Sequence, residues 1–204
     1  MRKPPVLATL VVLIAVAAMV SLGFWQLHRL RWKEDLLARY GAASAIAAPL
    51  PLDGRDLPEA AAYRHVRWDC PRVGVDQVVA GRGAAGASGW AHVMVCTHRA
   101  GGADIAVPVV LGWSFGLAPV QWAGGAIAGV AVPGPKAGVS IPASTPGIRA
   151  LDWHIVADPP VAGLAANAPP DPRAIPNNHL SYAIQWFFFA ATATVIFILA
   201  LRRK

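Results

Sequence analysis

Late in the chain, in the stretch PNNHLSYAIQWFFFA, the residues Asn177, Asn178, His179, Tyr182, Ala183 and Trp186 stand at the threshold of an apolar run. Polar groups at such an edge are costly unless something pairs with them. At about 100° per residue, a helix gathers His179, Tyr182, Ala183 and Trp186 into an arc of about 100°. The small Ala183 would leave a hollow between larger neighbours, and an imidazole over that hollow suits a large, flat, amphipathic molecule. The alternative is a lock, in which His179 hydrogen-bonds a neighbouring helix and no ligand is involved.

A matching stripe lies near the other end, in GFWQLHRLRWK, residues 23 to 33. The same arithmetic puts Trp25, Gln26, Arg29, Trp32 and Lys33 within an arc of about 120°, with Arg31 opposite and His28 about 40° outside. Cations beside aromatics at this depth can meet anionic groups of a ligand. They also form an ordinary interfacial belt with snorkelling side chains.

The elements that position these stripes are two apolar segments. The chain has 204 residues, 55% of them hydrophobic and 14% charged, which is too apolar for an ordinary soluble domain. Val6 to Trp25 and Ala183 to Leu201 carry no charge. Each is long enough, as a helix, to cross a hydrocarbon core of about 30 Å. The run after Met-Arg-Lys also resembles a signal peptide ending near Ala15-Val16-Ala17, but its continuation to Trp25 favours a retained anchor.

Of the net charge of +7, five charges sit on Arg2, Lys3, Arg202, Arg203 and Lys204; between His28 and Leu180, thirteen Lys or Arg face eleven Asp or Glu. That balance points away from a nucleic-acid partner. Basic tails beside two spans predict both termini in the cytoplasm and the middle exported, in a bacterial inner membrane.

The expected organisation is a tail over 1–5, a span over 6–27, a helical extension and linker over 28–57, a β-rich domain over 58–158, a Pro-rich strap over 159–177, a second span over 178–201 and a tail over 202–204. The strands are expected in YRHVRWDC, DQVVAG, WAHVMVCTHR, ADIAVPVVLGW, GGAIAGVAV and DWHIVAD, short runs punctuated by Gly and Pro. The fold class is therefore a membrane protein with two transmembrane α-helices bracketing a small β-rich (α+β) domain.

In WAHVMVCTHR a strand would show His92, Met94, Cys96 and His98 on one face, soft ligands suited to Cu(I). Neighbours about 7 Å apart along a strand cannot all reach one ion. Copper is therefore disfavoured against a strand whose Val93 and Val95 face the core. Cys70 and Cys96 form no CxxC; a disulfide and two free thiols are both open. No H-E-x-x-H or Walker loop occurs, and the scatter of Ser140, Ser144, Asp152 and His154 has no catalytic spacing, so no enzyme is expected.

Taken together, the two stripes resemble the Surfeit-locus protein-one family of bacterial type, which assists assembly of haem-copper cytochrome c oxidase. Gly23, Trp25, Gln26, Arg29, Trp32 and Lys33 match its G-x-W-Q-x-x-R-x-x-W-K pattern, and Asn177, Asn178, His179, Tyr182, Ala183 and Trp186 match its N-N-H-x-x-Y-A-x-x-W. ADPPVAGL, residues 157 to 164, also has the family's look. The middle departs from it: VVLGWSFG keeps Gly112 and Trp113 and lacks the family's arginine, and YRHVRWDC lacks a glycine.

The resemblance implies handling of haem a, with His179 as axial ligand to the iron, Tyr182 and Trp186 flanking the macrocycle and Ala183 leaving it room. Arg29 and Lys33 would meet the propionates, with Trp25 and Trp32 completing the set. The implied partners are the oxidase core subunit, other assembly factors and the bilayer. A scaffold without cofactor, stabilising an oxidase assembly intermediate, is the competing expectation.

Overall fold

A computed structural model describes residues 6–52, 57–100, 102–136, 138–139 and 148–202. The tail expected at 1–5, residues 203–204 of the tail expected at 202–204, and Ser140 and Ser144 lie outside the described residues, while Arg202 ends a helix. The chain divides into two units, Met1–Ala38 with Arg173–Lys204, and Arg39–Pro172.

The first unit is built on helices α1 (Val6–Ser44) and α2 (His179–Arg202). Both are long and apolar enough to cross a membrane. The 39 residues of α1 outrun a bilayer core, since a span needs about 20. Its second half, HRLRWKEDLLARYG, is rich in strong helix formers and contains no proline. In α2, Pro176 precedes the helix, and the Asn178 carbonyl accepts the first helical bond from the Tyr182 N–H at 3.2 Å.

Among the described residues the second unit is one nine-stranded sheet. The strands are β1 (Leu50–Pro51), β2 (His65–Cys70), β3 (Arg72–Val73), β4 (Gln77–Arg82), β5 (Ser88–Ala100), β6 (Ala103–Ser114), β7 (Gly125–Pro133), β8 (Ile148–Ala150) and β9 (Trp153–Ala157). Its order is β1-β2-β7-β9-β6-β5-β3, with β4 also on β5 and β8 also on β6. All six expected strand segments are strands. Three further strands of two or three residues join them, and β1 pairs parallel to β2 inside the segment expected to be linker.

The sheet curls upon itself. Cys70 ends β2, Cys96 lies in β5, and three strands separate β2 from β5 in the sheet order. Even so, the two cysteines are joined in a disulfide with Cα atoms 5.3 Å apart. Directly after Cys70 the chain passes Pro71 and pairs with β5, Arg72 opposite Thr97 and Val73 opposite Cys96. One continuous stretch thus serves both ends of the sheet, leaving few open edges.

The main core lies inside this curl, with Val66, Trp68, Val107, Val109, Leu111, Ile127, Trp153 and Ile155 among its buried members. Met94 and Cys96 also enter it, whereas Val93 belongs to a small second cluster with Ala91 and Val110. This reverses the expected facing of β5. The reason is that both of its faces are covered, so alternation alone could not decide which one met the larger core. Pro108 is tolerated in the middle of β6 because it falls between the stretch paired to β8 (104–106) and the stretch paired to β9 (109–110).

The strap is tied to the sheet rather than loose. Val161 N–H donates to Leu111, Ala165 N–H to Trp113, Trp113 N–H back to Ala165, and Ala168 N–H to Arg82. Gly112 makes this possible: a Cβ there would lie 2.4 Å from Leu164 Cβ and 2.9 Å from the Ala165 carbonyl. Gly89 stands similarly against the Trp113 ring, which a Cβ would meet at 2.6 Å. The Gly112–Trp113 pair is thus a packing device.

Two outcomes follow. Gly112→Ala is expected to cost about 1–3 kcal/mol through overpacking against the strap, read from thermal unfolding in detergent. His154 is buried, with its Nδ1 donating 2.9 Å to the Gly134 carbonyl. Burial pushes its pKa below the ordinary 6.5; the Gly134 carbonyl opposes this and Lys136 reinforces it. Because the folded value is the lower one, its contribution is intact above pH 6.5 and is lost as pH falls below that towards the folded value. His154→Asn should flatten this acid limb in a pH series of denaturant midpoints.

Candidate functional site

The helix pair is held by a seam with alternating spacings of three and four. On α1 the less exposed positions include Met19, Gly23, Gln26, Leu30 and Lys33; on α2 they include His179, Ala183, Trp186 and Ala190. Such spacing is the knobs-into-holes pattern of antiparallel helices. Gly23 is buried, and a Cβ there would lie 2.5 Å from the Phe187 ring. Phe24 packs edge-on against the same ring at 5.3 Å between centroids. A glycine therefore lets the helices close where a phenylalanine covers it.

One turn further along α1, at the polar end of the seam, His179 Nδ1 lies 2.7 Å from Gln26 Oε1. An amide oxygen only accepts, so the ring nitrogen donates. His179 is half-buried, and no second hydrogen bond of its ring is found among the described residues. The two motif stripes therefore meet, and their meeting point is this pair.

The other candidate residues divide into seam and flank. Ala183 is 1% exposed, its hollow filled by the helix pair, and Lys33 and Trp186 are half-buried. Tyr182, Trp25 and Trp32 are exposed, at 49%, 55% and 41%. Arg29 is exposed and lies over the Trp32 ring at 3.8 Å, a cation–π contact that fixes the guanidinium. Trp186 packs edge-on to Phe189 at 6.2 Å.

Measured from Gln26, Arg29, Trp25 and Trp32 lie about 60–120° to one side; Tyr182 lies about 60° from His179 in the same angular sense. Because the helices are antiparallel, these rotations carry both sets to one flank of the pair. Gly23, Phe24 and Phe187 fall on the opposite flank, as their ring contacts require. The aromatic and cationic groups thus border one face beside the imidazole, and the space between the helices is closed.

Gln26 is the residue that sequence reasoning passed over. Its signal was present, since it lies in the arc with Trp25 and Arg29. A neutral amide, however, suggests no chemistry until its partner is seen.

In the β-rich unit, His92 is fully buried, with Nδ1 2.7 Å from Asp76 Oδ2 and Nε2 2.9 Å from Ser114 Oγ. The order Asp-His-Ser is that of an acyl-transfer triad, and Ser114 is the centre of a G-x-S-x-G stretch, Gly112 to Gly116. Yet β6 leads from it into a loop and not into the helix of a nucleophile elbow. Ser114 Oγ, however, donates its proton to the Gly116 carbonyl at 2.7 Å. The nearby hollow of about 600 Å³ is lined by Asp76, Met94, Val120 and Trp122 but not by Ser114. Asp76 also accepts from the Val120 N–H at 3.0 Å. The network pins the turn before β4 and the segment after β6 onto β5.

Of the soft-ligand row, Cys96 lies in its disulfide, His92 in the Asp76 network and Met94 in the core, while His98 packs against Trp68 at 5.3 Å with its Nδ1 buried and without a hydrogen-bond partner. No group of three or more His, Cys, Asp or Glu able to hold a metal ion occurs among the described residues.

Two membrane-spanning helices that pair through a glycine seam, carry a histidine–glutamine bridge and bracket a curled β-sheet define a small two-span membrane protein. The family model described as the SURF1 family matches residues 13–191, taking in both stripes and the whole sheet. The chain belongs to the SURF1 family, which is associated with assembly of cytochrome oxidase. No curated protein matches the chain.

Gly23→Val should force the Phe187 ring aside and loosen the pair, costing about 1–3 kcal/mol as an overpacked seam. The expected result is a lower detergent unfolding midpoint, partly restored by adding Phe187→Ala.

Proposed function

We propose that this chain assists cytochrome oxidase assembly by holding haem a at the outer edge of the bacterial inner membrane, with both termini cytoplasmic and the β-rich unit periplasmic. The single observation that carries the reading is the half-buried imidazole of His179, bridged through Nδ1 to Gln26. A metal-ligating histidine characteristically gives its other ring N–H to such an acceptor.

The residues present fit the group. His179 supplies a nitrogen donor, Tyr182 and Trp25 offer exposed aromatic faces on the same flank, and Arg29 is held over Trp32 as a cation for a carboxylate. Haem, when bound, would supply an iron centre able to accept a nitrogen donor. Ala183 serves closure of the seam rather than contact with the macrocycle. Lys33 lies nearer the seam than Arg29 and is the lesser candidate for a propionate. The disulfide agrees with an oxidising compartment. The oxidase core subunit would be the recipient.

The scaffold reading has an observation of its own: the His179–Gln26 bond is the interhelical lock it requires, and the exposed aromatics would then face an oxidase subunit. The two readings separate in the Soret band of protein purified from cells making haem a. His179→Ala should remove most of the bound haem while the protein still inserts. Unchanged haem content would reject His179 as ligand and favour the scaffold.

A further inference from the structure

We infer that Gln26 is a positioning residue for His179: its amide oxygen holds the imidazole in the tautomer protonated at Nδ1, leaving Nε2 as the nitrogen with a lone pair. The inference rests on the reading of His179 as an axial ligand and adds the residue that orients it.

The bond is short, 2.7 Å, and joins the two helices. Its length is not left to side-chain freedom. Gly23, one turn before Gln26, holds the backbones at an approach where a single Cβ would collide with Phe187. Gln26 and His179 are both half-buried among apolar neighbours, where an unpaired polar group is expensive and a paired one is strongly held. A neutral imidazole has one N–H and one lone pair. With the N–H given to Gln26, the lone pair is on Nε2, and the ring cannot turn over without breaking the bond. The amide thereby selects the ligating nitrogen before any ligand arrives.

Three variants test this in the full-length protein. Gln26→Met keeps an unbranched side chain of similar length and removes the acceptor. Gln26→Glu keeps an acceptor and can only strengthen it. His179→Ala is the reference for loss of the ligand. In haem-free wild-type protein, ¹⁵N spectra of the His179 ring should show a protonated Nδ1 and a bare Nε2; in Gln26→Met that preference should fade. With haem a, Gln26→Met should lose about 10-fold or more in affinity and lower the iron–histidine stretching frequency in resonance Raman. Gln26→Glu should keep haem and raise that frequency.

The inference is overturned if Gln26→Met leaves affinity and frequency unchanged while His179→Ala loses haem; the ligand reading then survives without it. It is also overturned if Gln26→Glu abolishes binding, because the amide would then have been acting as a donor. Haem retained in His179→Ala removes the ligand reading itself, and the ¹⁵N spectra still decide whether Gln26 sets the tautomer.

Discussion

A hydrogen bond between an imidazole and an amide at the end of an apolar seam is the interaction on which the membrane unit depends. Neither group is tolerable there alone, and each needs the other helix to supply its partner. The bond therefore defines the register of the pair at one point, Gln26 against His179. Packing defines it at another, Gly23 against Phe187. Two fixed points on antiparallel rods leave neither sliding nor rotation free. The aromatic and cationic side chains of one flank are presented on a rigid edge as a result.

The β-rich unit is organised by a different constraint, the need to leave few open strand edges. A chain running straight from β2 through Pro71 into β3 changes partner from β7 to β5, and the disulfide fastens the change. The strap then covers β6 through backbone bonds made possible by Gly112. The buried Asp76–His92–Ser114 network closes the remaining end. Asp76 Oδ2, both His92 nitrogens and Ser114 Oγ are paired with one another or with the backbone, whereas Asp76 Oδ1 is buried without a hydrogen-bond partner.

Much of this was legible beforehand, for identifiable reasons. Both helices announce themselves by length without charge, and β2, β4, β5, β6, β7 and β9 by apolar runs between Gly and Pro. The short strands β1, β3 and β8 carry no signal of their own, because two or three residues become strand only when a partner lies beside them. The facing of β5 was lost because both of its sides are buried. The helical arcs grouped, on each helix, residues that the structure sets along the seam and one flank of the pair. They could not say which part of an arc of about 100° would meet the other helix, so Ala183 looked like a hollow when it is a contact. Gln26 stood in plain view without a role until the histidine across the seam gave it one.

With two cysteines in the whole chain, Cys70 and Cys96, the curled sheet has only one intramolecular cross-link to find. An oxidant alone is enough to form it. No isomerase is needed to reshuffle wrong partners, because within a single molecule there are none.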